Sequence, residues 1–156
     1  MQKITPCLWF NGRVDEALKL YASLFSNTQI KDISRYGEGS PMPAGDIMVA
    51  TFELENQEFM ILNGGPHFKP DEAFSLVVHA KDQAEIDHYW NSLTANGGQE
   101  SMCGWLKDPF GISWQIVPNT LNELMTKDPS KAGKVFGALM QMKKIDIAKL
   151  EEAFNS

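Results

Sequence analysis

Cysteine is scarce in this chain: Cys7 and Cys103 are the only two among 156 residues. A single distant pair provides neither zinc-ligand spacing nor a disulfide framework, so both read as reduced thiols in a cytoplasmic protein. Long apolar runs are missing too. No stretch approaches the ~20 residues that cross a bilayer, and the first residues carry a proline where an export signal would have its apolar core, so no membrane partner is expected. Positive charge is in short supply, with 14 Lys and Arg against 20 Asp and Glu, and no basic stripe marks a nucleic-acid surface. Also absent is a strand running into a Gly-rich loop that opens a helix, the signature of a nucleotide-like cofactor site. No cofactor is expected.

What remains is globular material, 43% hydrophobic and 22% charged. Its most telling stretch is residues 103–118, CGWLKDPFGISWQIVP. It reads as two strands around an Asp-Pro-x-Gly turn, in which the Asp108 side chain bonds local backbone. Ile112, Trp114 and Ile116 alternate with Ser113, Gln115 and Val117. That period of two separates an apolar face, expected under a helix, from a partly polar face expected to line a cavity or solvent. The polar face brings no evident nucleophile, acid or metal ligand.

The same order of elements occurs twice. Residues 4–10 read as a strand, 14–25 as an amphipathic helix, and 29–36, 47–54 and 58–63 as three further strands. After a loop, a strand at 73–80, a helix at 82–95, an extended stretch at 99–102 and the hairpin repeat the pattern βαβββ. Glu16, Tyr21, Ser23 and Leu24 match Glu85, Trp90, Ser92 and Leu93 at a constant offset of 69. Thr5 and Trp9 correspond likewise to Ser75 and His79, at an offset of 70. The expected organisation is one domain, 1–156, with module one at 1–66, module two at 72–118 and a helical tail at 119–156. The tail's apolar stripe of Val135, Leu139 and Met142 faces either its own domain or, in a homodimer, a second subunit.

A doubled βαβββ ending in this hairpin resembles the vicinal oxygen chelate superfamily, the glyoxalase and bleomycin-resistance fold. ITPCLWFNG at residues 4–12, NGGP at 63–66, the hairpin, and MKKIDIAKLEEAF at 142–154 together resemble its PhnB-like branch, over nearly the whole chain. The resemblance implies an α+β fold of two modules forming a curved mixed sheet with C-terminal helices, a ligand cavity between the modules, and dimerisation. Members of the branch carry a demethylubiquinone methyltransferase label, which the missing methyl-donor motif speaks against here. In metal-dependent relatives a His or Glu from the first and last strands of each module chelates a divalent ion. The matching positions here are Thr5, Ser75, Gln115 and either Ile61 or Leu62, none of them a carboxylate or imidazole. A hard divalent ion wants anionic oxygens or imidazoles, so no metal is expected there.

The residues expected to line the cavity are Thr5, Cys7, Trp9, Ser75, His79, Trp105 and Gln115: flat apolar walls with an amide to orient a small-molecule ligand. His79 shares strand parity with Ser75 and is the candidate proton shuttle if the chain is an enzyme. Cys7 reads as small buried filler. His67 and His88 read as solvated, and Glu53 with Glu55 as charges on one strand face, turned to water or paired in a cleft. Two functions stay open: metal-independent binding of a small, partly aromatic or apolar ligand, or an enzyme acting on a small oxygenated substrate.

Overall fold

A computed structural model describes residues 2–156, and the chain divides into two compact units, Met1–Pro70 and Asp71–Ser156. The first unit runs β1 (Cys7–Phe10), α1 (Val14–Leu24), β2 (Thr28–Arg35), β3 (Ile47–Leu54) and β4 (Gln57–Asn63). Its four strands form one mixed sheet in the order β1-β4-β3-β2, with β1 parallel to β4 and the rest antiparallel. Val14, Ala17, Leu18, Tyr21 and Leu24 recur at helical spacing and are the buried residues of α1. Alternate strand residues, Leu8 and Phe10, Ala50 and Phe52, Phe59 and Ile61, are buried on the same side, and Tyr21 stacks on Phe52 with ring centroids 6.2 Å apart. Asn63 braces the entry to the helix: its buried side chain accepts from the Gly12 N–H at 2.9 Å and donates to the Ile47 carbonyl at 3.0 Å.

The second unit repeats the plan with β5 (Ser75–Ala80), α2 (Gln83–Thr94), β6 (Gln99–Glu100), β7 (Trp105–Lys107) and β8 (Ser113–Pro118). Its sheet has the equivalent order, β5-β8-β7-β6. Trp90 and Leu93 are buried in α2 at the places that Tyr21 and Leu24 occupy in α1, so the sequence repeat marks the core contacts of the two helices. Asp82 caps α2 by accepting from the Glu85 N–H at 2.9 Å.

The hairpin is anchored from inside. Ile112, Trp114 and Ile116 are buried on the α2 side, while Gln115 is half-buried on the other. Asp108 is 2% exposed, and its carboxylate accepts from the N–H groups of Phe110 and Ile112 and from the Trp114 indole at 2.9 Å. A buried charge is tolerated only when its oxygens are satisfied in this way.

The tail folds as α3 (Asn119–Lys127), α4 (Ala132–Leu139) and α5 (Ile147–Asn155) within the second unit. Val135, Met142, Ile145, Leu150 and Phe154 form its own core with Leu124, and Leu139 packs against it. The stripe expected as a possible subunit contact is therefore spent inside the chain, where the three short helices cover one another's apolar sides. Backbone bonds from Cys103 N–H to the Met142 carbonyl (2.7 Å) and from Gly104 N–H to the Lys143 carbonyl (2.8 Å) fasten the tail to the hairpin. Gly104 has φ +83 and lies so near Ile145 that a Cβ would come within 2.8 Å of its side chain.

Glu55 lies outside the strand expected to carry it. It forms, with Asn56, the two-residue turn between β3 and β4, where both have positive φ (48 and 67). Its carboxylate accepts from the Asn27 N–H at 3.2 Å, so it is no partner for Glu53. No helix among the described residues is long and apolar enough to cross a membrane.

Candidate functional site

Residues paired directly across a sheet share a face, so the strand registers define the open face of each sheet, opposite its helix. In the second unit one row runs Gln99, Lys107, Ser113, Ser75 across all four strands. The next holds Trp105, Gln115 and Val77. His79 lies one row further, paired with Val117. Gln115 donates from Nε2 to Ser75 Oγ at 3.0 Å, joining the two rows. Lys107 is paired with Glu72 at 2.7 Å, and that contact holds the Glu72 carboxyl below the usual carboxylate range. A cleft of about 290 Å³ opens over this face, lined by Glu72, Gln99, Ser101, Trp105, Lys107 and Ser113 among others. Glu100 also borders it, but its carboxylate turns to α2 and accepts from the Trp90 indole at 2.8 Å.

In the first unit the corresponding face has a different composition. Cys7, Met60 and Thr51 share one row, and Trp9, Leu62 and Val49 the next. Trp9 is clamped: its indole N–H donates to the Gly65 carbonyl at 2.9 Å, Phe68 meets its ring edge-on at 4.9 Å, and Gly64 lies under it so closely that a Cβ would be 2.3 Å from the ring. The Asn-Gly-Gly-Pro motif thus seats an indole. Below these rows the face is polar. Glu53 pairs with Gln29 and Glu58, Lys31 bridges both carboxylates at 2.6 and 3.1 Å, and Thr5 donates to Glu58 at 3.2 Å. Hydrogen bonding to Lys31 is the main cause that lowers the Glu58 pKa, with desolvation opposing it.

Of the expected site residues, Ser75, His79, Trp105 and Gln115 thus lie on one open face, and Cys7 and Trp9 on the other. Thr5 precedes β1, two residues before Cys7, and is tied to Glu58. Cys7 departs from the expectation of buried filler. It is exposed, because β1 turns Leu8 and Phe10 rather than Cys7 toward the helix, and partial desolvation of its sulfur still raises the thiol pKa, which leaves it protonated and weakly nucleophilic at neutral pH. His67 and His88 are exposed. Sequence reasoning missed Lys107, Glu72 and Gln99, and in the first unit Lys31 and Glu58. The strand alternation around Lys107 could have found it, since it shares parity with Trp105; Glu72 reaches Lys107 from a loop, which no periodicity marks.

The fold family raises the question of a divalent metal, and each unit answers it through its donor chemistry. The register places Ile61 on the buried side and Leu62 with Met60 on the open face. In the second unit the donors at the matching positions are a hydroxyl and an amide already bonded to each other. In the first, Thr5 and the aliphatic Ile61 or Leu62 supply no anionic ligand, and the two carboxylates nearby, Glu53 and Glu58, are both bonded by Lys31. Neither set fits a hard divalent ion, and among the described residues no group of three His, Cys, Asp or Glu is disposed to hold a metal.

A family model described as 3-demethylubiquinone-9 3-methyltransferase matches residues 2–117. The match stops short of the tail, so it spans less of the chain than the resemblance of residues 142–154 implied. Among solved structures, the chain is 37% identical to a PhnB protein from Bacillus cereus, with a TM-score of 0.70 and coverage of 75% of this chain and 99% of that one. It is 25% identical to a Pseudomonas aeruginosa protein (TM-score 0.61, covering 76% and 98%). A fosfomycin resistance protein from Mesorhizobium loti shares the fold at 12% identity and a TM-score of 0.55, covering 79% and 97%. No match was found among curated proteins.

Proposed function

The chain belongs to the PhnB-like family described as 3-demethylubiquinone-9 3-methyltransferase, within the vicinal oxygen chelate superfamily, and from that premise we propose that it binds a small organic molecule without a metal. The observation that carries the reading is the second sheet's open face, where Trp105 offers a flat wall beside the Gln115–Ser75 pair. A flat apolar surface with a few placed polar groups is what a small-ligand site needs, whereas a chelating site needs charge that these residues lack.

Methyl transfer is not carried over from the family's description. A nucleotide-like methyl donor is ordinarily held by a Gly-rich loop at a helix N-terminus in a parallel sheet. Here β1 enters α1 through Arg13 in the left-handed region (φ 60), and the N-terminus of α2 already receives the Asp82 carboxylate.

Isothermal titration of metal-stripped protein against a panel of small aromatic and polar compounds tests the proposal. Binding unchanged by chelator and weakened at least tenfold by Trp105→Ala supports it; binding that appears only on adding a divalent ion overturns it. His79, exposed on the same face, favours a second reading, an enzyme using it as proton shuttle on a small oxygenated substrate. Turnover of a bound compound that His79→Gln abolishes while binding persists would select that reading.

We also propose a homodimer. Its support is the edge strand β2, eight residues long, with one edge unpaired in its sheet and with Ile30 and Ile33 each 44% exposed. Sedimentation at micromolar concentration should give twice the 17.5 kDa chain mass, and a monomer would refute it. Since Leu139 packs on the tail's own core, Leu139→Glu should loosen the tail and leave the dimer intact.

A further inference from the structure

Charge decides which small molecules suit the second sheet's open face. Across its polar row stand an amide, an ammonium and two hydroxyls, from Gln99, Lys107, Ser113 and Ser75. The single cation is neutralised within the site, because Glu72 meets Lys107 at 2.7 Å. Glu100, the other charge at the rim, stands off this row: it pairs with Leu106 and directs its carboxylate to the Trp90 indole on the α2 side. An unpaired cation would call for an anionic ligand and an unpaired carboxylate for a cationic one. Along the polar row neither is left over, while hydrogen-bond donors and acceptors alternate beside an aromatic wall. Neutral amides, hydroxyls and an internally balanced ion pair offer directional bonds to both donors and acceptors, and the Trp105 ring offers apolar contact to C–H groups. The volume, about 290 Å³, falls just below the ~300–1,000 Å³ range of drug-sized ligand clefts, which suits a small compound.

We infer that this face recognises a small, uncharged polyhydroxylated compound, of the size of a monosaccharide or cyclitol, with its C–H face on Trp105 and its hydroxyls on the side-chain amides of Gln99 and Gln115. The inference rests on the proposed binding function and names its ligand class. Such recognition is insensitive to ionic strength, since no net charge is exchanged, and it is lost when either the wall or the amide is removed.

The test is a side-chain amide titration by nuclear magnetic resonance on the full chain, with four probes: methyl glucoside, myo-inositol, benzoate and choline, and phenol as an apolar control. The expected result is saturable shifts of the Gln99 and Gln115 side-chain amides with methyl glucoside or myo-inositol. The dissociation constant should be unchanged between 20 and 500 mM salt and raised about tenfold or more by Gln115→Leu. Should Trp105→Ala or Gln115→Leu unfold the protein, Gln99→Ala on the exposed edge strand serves, with several-fold weakening expected. Saturable shifts with phenol but neither polyol would overturn the inference and leave the proposed binding function standing. Salt-dependent binding of benzoate or choline alone would overturn it as well, and silence from all the probes would count against both.

Discussion

The two sheets share one strand order, yet their hairpins are closed by opposite means. Between β3 and β4 the turn is two exposed residues, Glu55 and Asn56, both at positive φ. Between β7 and β8 the connection is organised by Asp108, whose buried carboxylate gathers two backbone N–H groups and an indole. The first turn holds by local backbone preference, since two residues at positive φ match the twist of the flanking strands. The second holds by tertiary burial. A repeated fold thus conserves topology while each copy finds its own local solution, and the open faces diverge in the same manner: Trp9, Leu62 and Val49 in one, Trp105, Gln115 and Ser75 in the other.

That contrast can be broken most severely at Asp108. Asp108→Ala should strand the Trp114 indole and the Ile112 N–H in the core and unpair the half-buried Phe110 N–H, costing on the order of 3 kcal/mol at ~1–3 kcal/mol per unsatisfied buried group, read by urea unfolding. A loss below about 1 kcal/mol would mean that the connection holds itself. Next comes Gly64→Ala, where the added methyl must displace the Trp9 ring. Overpacking of this kind costs about 1–3 kcal/mol, and the near-ultraviolet circular dichroism of the indole should change with it; an unaltered spectrum would show that Trp9 is not seated on the glycine.

A pH series sharpens the comparison between the two ion pairs. Lys31 depresses the Glu58 pKa and Lys107 the Glu72 pKa. A depressed carboxyl contributes stability above its unfolded value, about 4.3, and the contribution disappears as pH falls through the lower folded value. Lys31→Met should therefore flatten the loss of stability between about pH 5 and pH 3, and Lys107→Met should do so less, because Glu72 is 63% exposed at its side chain and Glu58 only 8%. Equal slopes in wild type and both variants would dismiss the pairs as stabilising elements. The smallest effect belongs to the exposed turn: Asn56→Gly, at φ 67, should be neutral or stabilising by a few tenths of a kcal/mol. A loss above ~1 kcal/mol would point to the Asn27–Asn56 side-chain bond of 2.9 Å as more than a surface contact.

Much of the fold was legible in the order of residues alone. Alternation at 112–117 announced the buried Ile112, Trp114 and Ile116 and the open Gln115, because strand periodicity is local and one face had to be apolar. The repeat announced two βαβββ units, since Tyr21 with Leu24 and Trp90 with Leu93 are the anchors each helix needs. The helix expected from residue 82 was equally local, and Asp82 caps it. What only the tertiary structure decided were the pairings between segments distant in the chain. Lys31 with Glu58, Lys107 with Glu72, and the tail's Met142 and Lys143 with Cys103 and Gly104 span gaps that no periodicity encodes. The destination of the Val135 and Met142 stripe belonged to the same class, because amphipathicity states that a face must be covered without stating by what. So did the charge balance of the cleft, which depends on a loop carboxylate meeting a strand ammonium in space.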